Sequence, residues 1–169
     1  MTDLDRFRKA QDGAHSGFAS ALRQLESGRK TGHWIWYVFP QLAGLGRSST
    51  AVYYGLADGD EAAAYLRHPV LGERLVAVAA AARAHLAGPR SARLTTLMGS
   101  EIDALKLVSC MTLFERVAKT LQAEEPRSTF AAMTEHAEAI LAAAATQGYD
   151  RCAFTENELR AWKPRAPGA

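Results

Sequence analysis

Residues 101–122 read EIDALKLVSCMTLFERVAKTLQ, and the periodicity of this stretch decides the fold. Ser100 and Asp103 have the spacing of an N-terminal cap. From there Leu107, Cys110, Met111, Phe114, Ala118 and Leu121 recur every three or four residues, one wide apolar stripe of a helix. Ile102, Leu105 and Leu113 fall on the opposite side. A helix that is apolar nearly all round belongs in the middle of a bundle. The expectation is a buried central helix over about 101–122, with Lys106, Ser109 and Thr112 set among the apolar residues of its second side.

Working outward, helix signals recur along the chain and no pair of strands is visible. Thr2 and Asp5 have capping-box spacing. Leu4, Phe7, Gln11, Ala14, Phe18, Ala21, Leu22 and Leu25 then form one stripe, read as a single helix ending near Gly28. Gln11 is its polar member and must find hydrogen bonds if buried, from a loop backbone or from the contents of a pocket. Ser48 or Ser49 caps a short helix over 50–56. Asp58 and Glu61 open another that stops at His68, and Pro69 suits the first turn of the next. Ser91 is expected to cap a short turn ending at Met98 and Gly99. A helix over 129–146 closes at Gly148, and Thr155 with Glu158 caps a last short one. The fold class is therefore all-α: a single-domain bundle of about seven helices over 1–162. Residues 163–169, KPRAPGA, read as a disordered tail.

The totals fit this picture. With 169 residues, 48% of them hydrophobic and 22% charged, the chain can bury a sizeable core. A net charge of +2 gives no reason to expect a nucleic-acid groove. The N-terminal residues lack the apolar run of a signal peptide, and nothing approaches a membrane span. The two cysteines, Cys110 and Cys152, form no CxxC pair, and the five histidines show no i,i+4 spacing. No metal site and no cofactor is implied, and the expected location is the cytoplasm. Oligomeric state stays open.

One segment stands apart. Lys30 to Ser49 contains His33-Trp34-Ile35-Trp36-Tyr37-Val38-Phe39-Pro40, too short for an independent helix and halted by proline. As an extended or 3₁₀ stretch it would place Trp34 and Trp36 on one face and Ile35, Tyr37 and Phe39 on the other. Both faces are apolar, so most of these rings are expected in the core, with one or two forming a ligand wall. Gln41, Gly44, Gly46, Arg47 and Ser48 follow. Glycines that admit close backbone approach, before a helix start flanked by Arg and Ser, suit either an anion site or an ordinary capped turn.

The stretches HWIWYVFPQLAGLGRS (33–48), YLRHPVLGERL (65–75) and DALKLVSCMTLF (103–114) closely resemble the bacterial family of domain of unknown function 1810. LDRFRKAQ (4–11) and QGYDRCAFTENEL (147–159) resemble it more loosely. The chain departs from the family at Val108 and Cys110, where a more polar pair is favoured, and in a longer region after Phe114. The resemblance implies a mainly α-helical fold and no assigned reaction. DALKLVSCMTLF is also similar to the lysine- and methionine-bearing helix of the NADAR proteins, which act on ADP-ribosyl groups. That likeness implies hydrolysis of an N-glycosidic bond, although the acidic residue of those proteins has no counterpart in this sequence.

Two functional classes follow. In the first, a pocket between 30–50 and the central helix takes a small anionic, nucleotide- or ADP-ribose-like ligand. Lys30, Arg47 and Lys106 would hold its phosphate, and Gln11, Trp34, Trp36, Gln41, Gly44, Gly46, Ser48, Ser109 and Thr112 would line it. His33 would transfer protons, with Asp103 as the carboxylate beside Lys106. Asp58 and Glu61 are the other acidic candidates. The bland alternative for Lys106 is an i,i+3 pair with Asp103 and a snorkelling stem; for His68 it is a capping role. In the second class the aromatic, glycine-rich segment is a protein-docking patch of a non-enzymatic helical module.

Overall fold

The computed structural model describes residues 3–166. Thr2 and residues 167–169 lie outside the described residues, and with them the Thr2 cap and the end of the expected tail. Ten helices form the described chain. The only pairing of extended backbone among the described residues is a single bridge between Leu42 and Leu56. The all-α class holds.

The central helix, here α8, spans Glu101–Glu124 and is capped by Ser100, whose hydroxyl accepts from the Asp103 N–H at 3.1 Å. α8 is buried along both faces from Leu107 to Leu121. α9 (Ser128–Thr146) packs along it, and α6 (Pro69–Leu86) packs on α9. α5 (Gly59–Arg67), α7 (Leu94–Met98) and the short α10 (Ala153–Glu158) cover further parts of α8. The expectation of full enclosure fails in the first two turns. Ile102 is 67% exposed and Leu105 50% exposed. The apolar side of α8 that nothing covers lies at its N-terminal end.

Local capping chemistry explains most boundaries. Asp58 Oδ1 accepts from the Glu61 N–H at 2.9 Å, and Pro69 occupies the first turn of α6. His68 Nδ1 accepts from the Val70 and Leu71 N–H groups, so His68 is the N-cap of α6. Ser91 caps nothing, because α7 starts later, after Arg93. Thr155 lies inside α10, and Cys152 is the N-cap. Lys163 to Ala166 are irregular, and Arg165 pairs with Asp60 at 2.9 Å.

Two readings of the N-terminal third need correction. The stripe from Leu4 to Leu25 is two helices, α1 (Asp5–Gln11) and α2 (Phe18–Glu26), separated by a turn. Gly17 sits so close to the chain that an added Cβ would lie 2.2 Å from the Gly13 carbonyl and 2.4 Å from that of Gln11. A tight reversal is built where the periodicity alone continues. The aromatic run, expected to alternate faces, instead makes one helical turn, α3 (Ile35–Val38). Trp34, Ile35, Val38 and Phe39 are therefore buried together, and Trp36 and Tyr37 are only partly covered. Gln24 makes this possible: its Oε1 accepts from the Thr31 N–H, the Gly32 N–H and the Trp34 indole at 2.9, 2.8 and 2.9 Å. Backbone groups that an extended strand would need a neighbour to satisfy are met by one side chain.

No described helix is long and apolar enough to cross a membrane. Truncating the middle of α8 should be severe and truncating its uncovered start should not. Phe114→Ala is expected to lose about 3–5 kcal/mol in denaturant unfolding, whereas Ile102→Ala should change stability by no more than about 0.5 kcal/mol.

Candidate functional site

The uncovered start of α8 is one wall of a cleft of about 560 Å³. Ile102, Leu105, Lys106, Val108 and Ser109 come from α8; Gln41, Leu45, Gly46, Arg47 and Ser48 come from the segment leading into α4 (Ser49–Tyr54) and Ala51 from α4 itself; Asp150, Arg151 and Cys152 come from the connection between α9 and α10. Segments more than a hundred residues apart in sequence thus meet across one opening.

Glycine shapes the second wall. Gly44 has a left-handed φ of 95°, and an added Cβ there would approach the Phe154 ring at 3.0 Å. Gly46 is not left-handed; its role is close approach, since a Cβ would lie 2.4 Å from that of Ala51. Ser48 is the cap of α4, accepting from the Ala51 N–H at 3.1 Å. Arg47 is exposed and makes no ion pair among the described residues.

Lys106 enters the cleft from a braced position. Asp103 Oδ1 lies 3.7 Å from its ammonium, while Asp103 Oδ2 is bound by Lys30 at 2.6 Å. Lys30 is only 7% exposed, and it also donates to the Gly32 carbonyl at 2.6 Å. Each ammonium lies against an indole: Lys30 is 5.1 Å from the Trp34 ring centre and Lys106 4.8 Å from that of Trp36. Two cations share one carboxylate, and the tighter pair is the buried one. Asp103 thereby serves structure on one side and positions Lys106 on the other.

Several expected site residues lie elsewhere. Lys30 and Trp34 are in the core behind the wall. Gln11 is buried, donating to the Tyr37 carbonyl at 2.7 Å and to the Tyr65 hydroxyl at 2.9 Å, and it lines none of the cavities described. Thr112 donates to the Val108 carbonyl and accepts from the Cys152 N–H, fixing the third wall to α8. His33 is exposed and away from the cleft lining. Of the acidic candidates, Asp58 caps α5 and Glu61 pairs with Arg6 at 2.9 Å. The cleft's own carboxylate is Asp150, a residue marked by no motif. No group of three or more His, Cys, Asp or Glu side chains comes together as a metal site among the described residues.

Arg151 forms the far edge of the cleft and also lines a neighbouring hollow of about 360 Å³ with Glu115, Arg116, Lys119 and Arg160. Its guanidinium grips both oxygens of Glu115, which is almost buried. Burial pushes the Glu115 carboxyl up, but hydrogen bonds from Arg151 and Lys119 outweigh it and hold the group below its ordinary 4.5.

Comparison with known proteins places the chain in a family. The family described as "Protein of unknown function (DUF1810)" matches residues 1–140. The chain belongs to this family, as the motifs at 33–48, 65–75 and 103–114 imply. Among solved structures it is similar to the conserved hypothetical protein Rv1873 from Mycobacterium tuberculosis. The two are 35% identical over 92% of this chain and 94% of that one, with a TM-score of 0.67. No curated protein matches the chain. The family match includes two walls of the cleft and stops before the third, Asp150 to Cys152.

The Glu115 cluster sets an acid limb. A carboxyl depressed by folding contributes stability that is fully present above its unfolded pKa and is lost as pH falls through the folded one. Glu115→Gln should therefore cost about 1–2 kcal/mol at neutral pH. It should also flatten the fall in unfolding free energy below about pH 4.5, measured by urea titration across pH.

Proposed function

We propose that the cleft at the start of α8 binds a small anionic organic molecule of nucleotide- or ADP-ribose-like build. The observation that carries this is the meeting of Arg47 and Lys106, 59 positions apart, beside an apolar floor in one cavity. A cleft of about 560 Å³ falls within the range usual for small-ligand sites. Arg47 has its donor fork free for a phosphate or carboxylate. Lys106 shares its partner carboxylate with Lys30 and so brings surplus positive charge to the cavity. Leu45, Leu105 and Val108 offer apolar surface to a flat ring.

Cleavage of an N-glycosidic bond is the reaction that the NADAR likeness brings to this site. An oxocarbenium-like transition state there calls for a nearby carboxylate. Asp150 is the cleft residue able to act so, since both oxygens of Asp103 face lysines. A second reading is favoured by the exposure of Ile102 and Leu105 at the cleft: this rim would serve as the docking face of a helical interaction module.

Thermal melting and tryptophan fluorescence with ADP-ribose and a panel of nucleotides separate the two. Binding to the native state raises the melting temperature in proportion to the logarithm of ligand concentration. Arg47→Ala and Lys106→Ala should each weaken the response by about tenfold or more with the free protein still folded. A panel that moves neither signal removes the ligand reading and leaves the docking face.

A further inference from the structure

The cleft has an inner end with its own chemistry. Gln41, Ala51 and Lys106 line both the main cavity and a narrow adjoining slot, whose other lining residues are Trp36, Phe39, Tyr54 and Gly55. The slot measures about 10 Å³, the room of a single oxygen-sized group. The Trp36 Nε1 is buried and has no hydrogen-bond acceptor among the described residues. A buried donor without a protein acceptor calls for a partner from outside the chain, a water or a ligand group. Lys106 lies 4.8 Å from the Trp36 ring centre, and its 3.7 Å approach to Asp103 is longer than a hydrogen bond, so its ammonium retains donors. The Gln41 side-chain amide makes no hydrogen bond among the described residues, although its backbone carbonyl is taken by the Leu56 N–H at 3.0 Å.

We infer that this slot is a specificity subsite for the carbonyl oxygen of an amide or lactam edge, the Trp36 indole and the Lys106 ammonium donating to the oxygen and the Gln41 amide accepting from the adjacent N–H. The inference rests on the ligand reading of the larger cleft and adds the identity of the buried end. Indole and ammonium can only donate. An amino group presented to them leaves donors facing donors, while a carbonyl satisfies both. A phosphate is too large for a slot of about 10 Å³, which leaves the anionic group to Arg47 at the outer rim.

Two mononucleotides test this directly. Inosine and adenosine 5′-monophosphates share the ribose and phosphate and differ by a lactam carbonyl against an amino group. Inosine monophosphate should raise the melting temperature and bind at least about tenfold more tightly than adenosine monophosphate, because a site built to hydrogen-bond one group rejects the analogue lacking it. Trp36→Phe keeps an aromatic ring and removes the N–H. It should bring inosine monophosphate down to the adenosine level while leaving the melting temperature of the free protein unchanged or higher. Gln41→Leu, at a partly exposed loop position, should do the same to the preference. Equal binding of the two nucleotides, or a preference for adenosine monophosphate, overturns the subsite and leaves the anion reading standing. An inosine preference that survives in Trp36→Phe also overturns it. No response to either nucleotide from the wild-type protein sinks the subsite; the anion reading falls with it only if ADP-ribose is silent too.

Discussion

Enclosure of α8 is the constraint from which the architecture follows. A helix with apolar side chains on opposite faces must be covered on both, and one neighbour covers only a stripe. α9 takes one side along most of the length, and α6 backs α9. α5, α7 and α10 divide the remainder. Phe114 shows the result, in contact with Tyr65 of α5 at 5.6 Å between ring centres, and Tyr65 meets Phe7 of α1 edge-on at 5.1 Å. The core therefore runs continuously from the first helix through the fifth to the eighth. Burial raises the Tyr65 hydroxyl far above its ordinary range, partly offset by the Gln11 hydrogen bond, so this polar bridge stays protonated within the core.

The Lys30–Asp103 pair fastens the aromatic segment to this scaffold. A buried ion pair is a poor source of net stability, since desolvation offsets most of the attraction. Its value is positional. Lys30 also donates its backbone N–H to the Leu97 carbonyl at 2.7 Å, so one residue is tied to the end of α7 and to the first turn of α8. Gln24 then fixes the next residues from α2. With both ends of the turn held, Trp34 is committed to the core and Trp36 to the cleft side. The positioning of Lys106 depends on the same carboxylate, which links the packing of the segment to the electrostatics of the opening.

Sequence alone reveals what is local. Ser48, Asp58, Pro69 and Ser100 mark helix starts because each acts on backbone groups within three residues. The all-round burial of α8 is legible because about four consecutive turns, from Leu107 to Leu121, repeat it. The turn between α1 and α2 is hidden because the apolar stripe continues through it, and only the approach of Gly17 to two carbonyls betrays the reversal. Arg47, Lys106 and Ser109 are legible as cleft residues: charge or hydroxyl beside apolar neighbours is locally expensive. Asp150 and Arg151 carry no such mark. They reach the cleft through the return of α9 along α8, a tertiary fact that no spacing encodes. His33 illustrates the converse: a titratable side chain next to the aromatic run, turned outward once that run coils into a helical turn.

What keeps the cleft open is charge. Covering the exposed parts of Ile102 and Leu105 would gain roughly 1–2 kcal/mol each, which favours folding the neighbouring 43–48 segment over them. Doing so would take Arg47 and Lys106 out of water with Asp150 as the cleft-lining carboxylate that makes no ion pair among the described residues, since Asp103 is held by Lys30 and Glu115 by Arg151. Desolvating two cations against one anion costs several kcal/mol per ion and outweighs the apolar gain. A molecule that brings its own negative charge and its own flat apolar surface removes both objections at once. On the proposed reading, the exposed leucine and isoleucine and the arginine without an ion pair among the described residues are parts of one arrangement, which a ligand of that composition would complete.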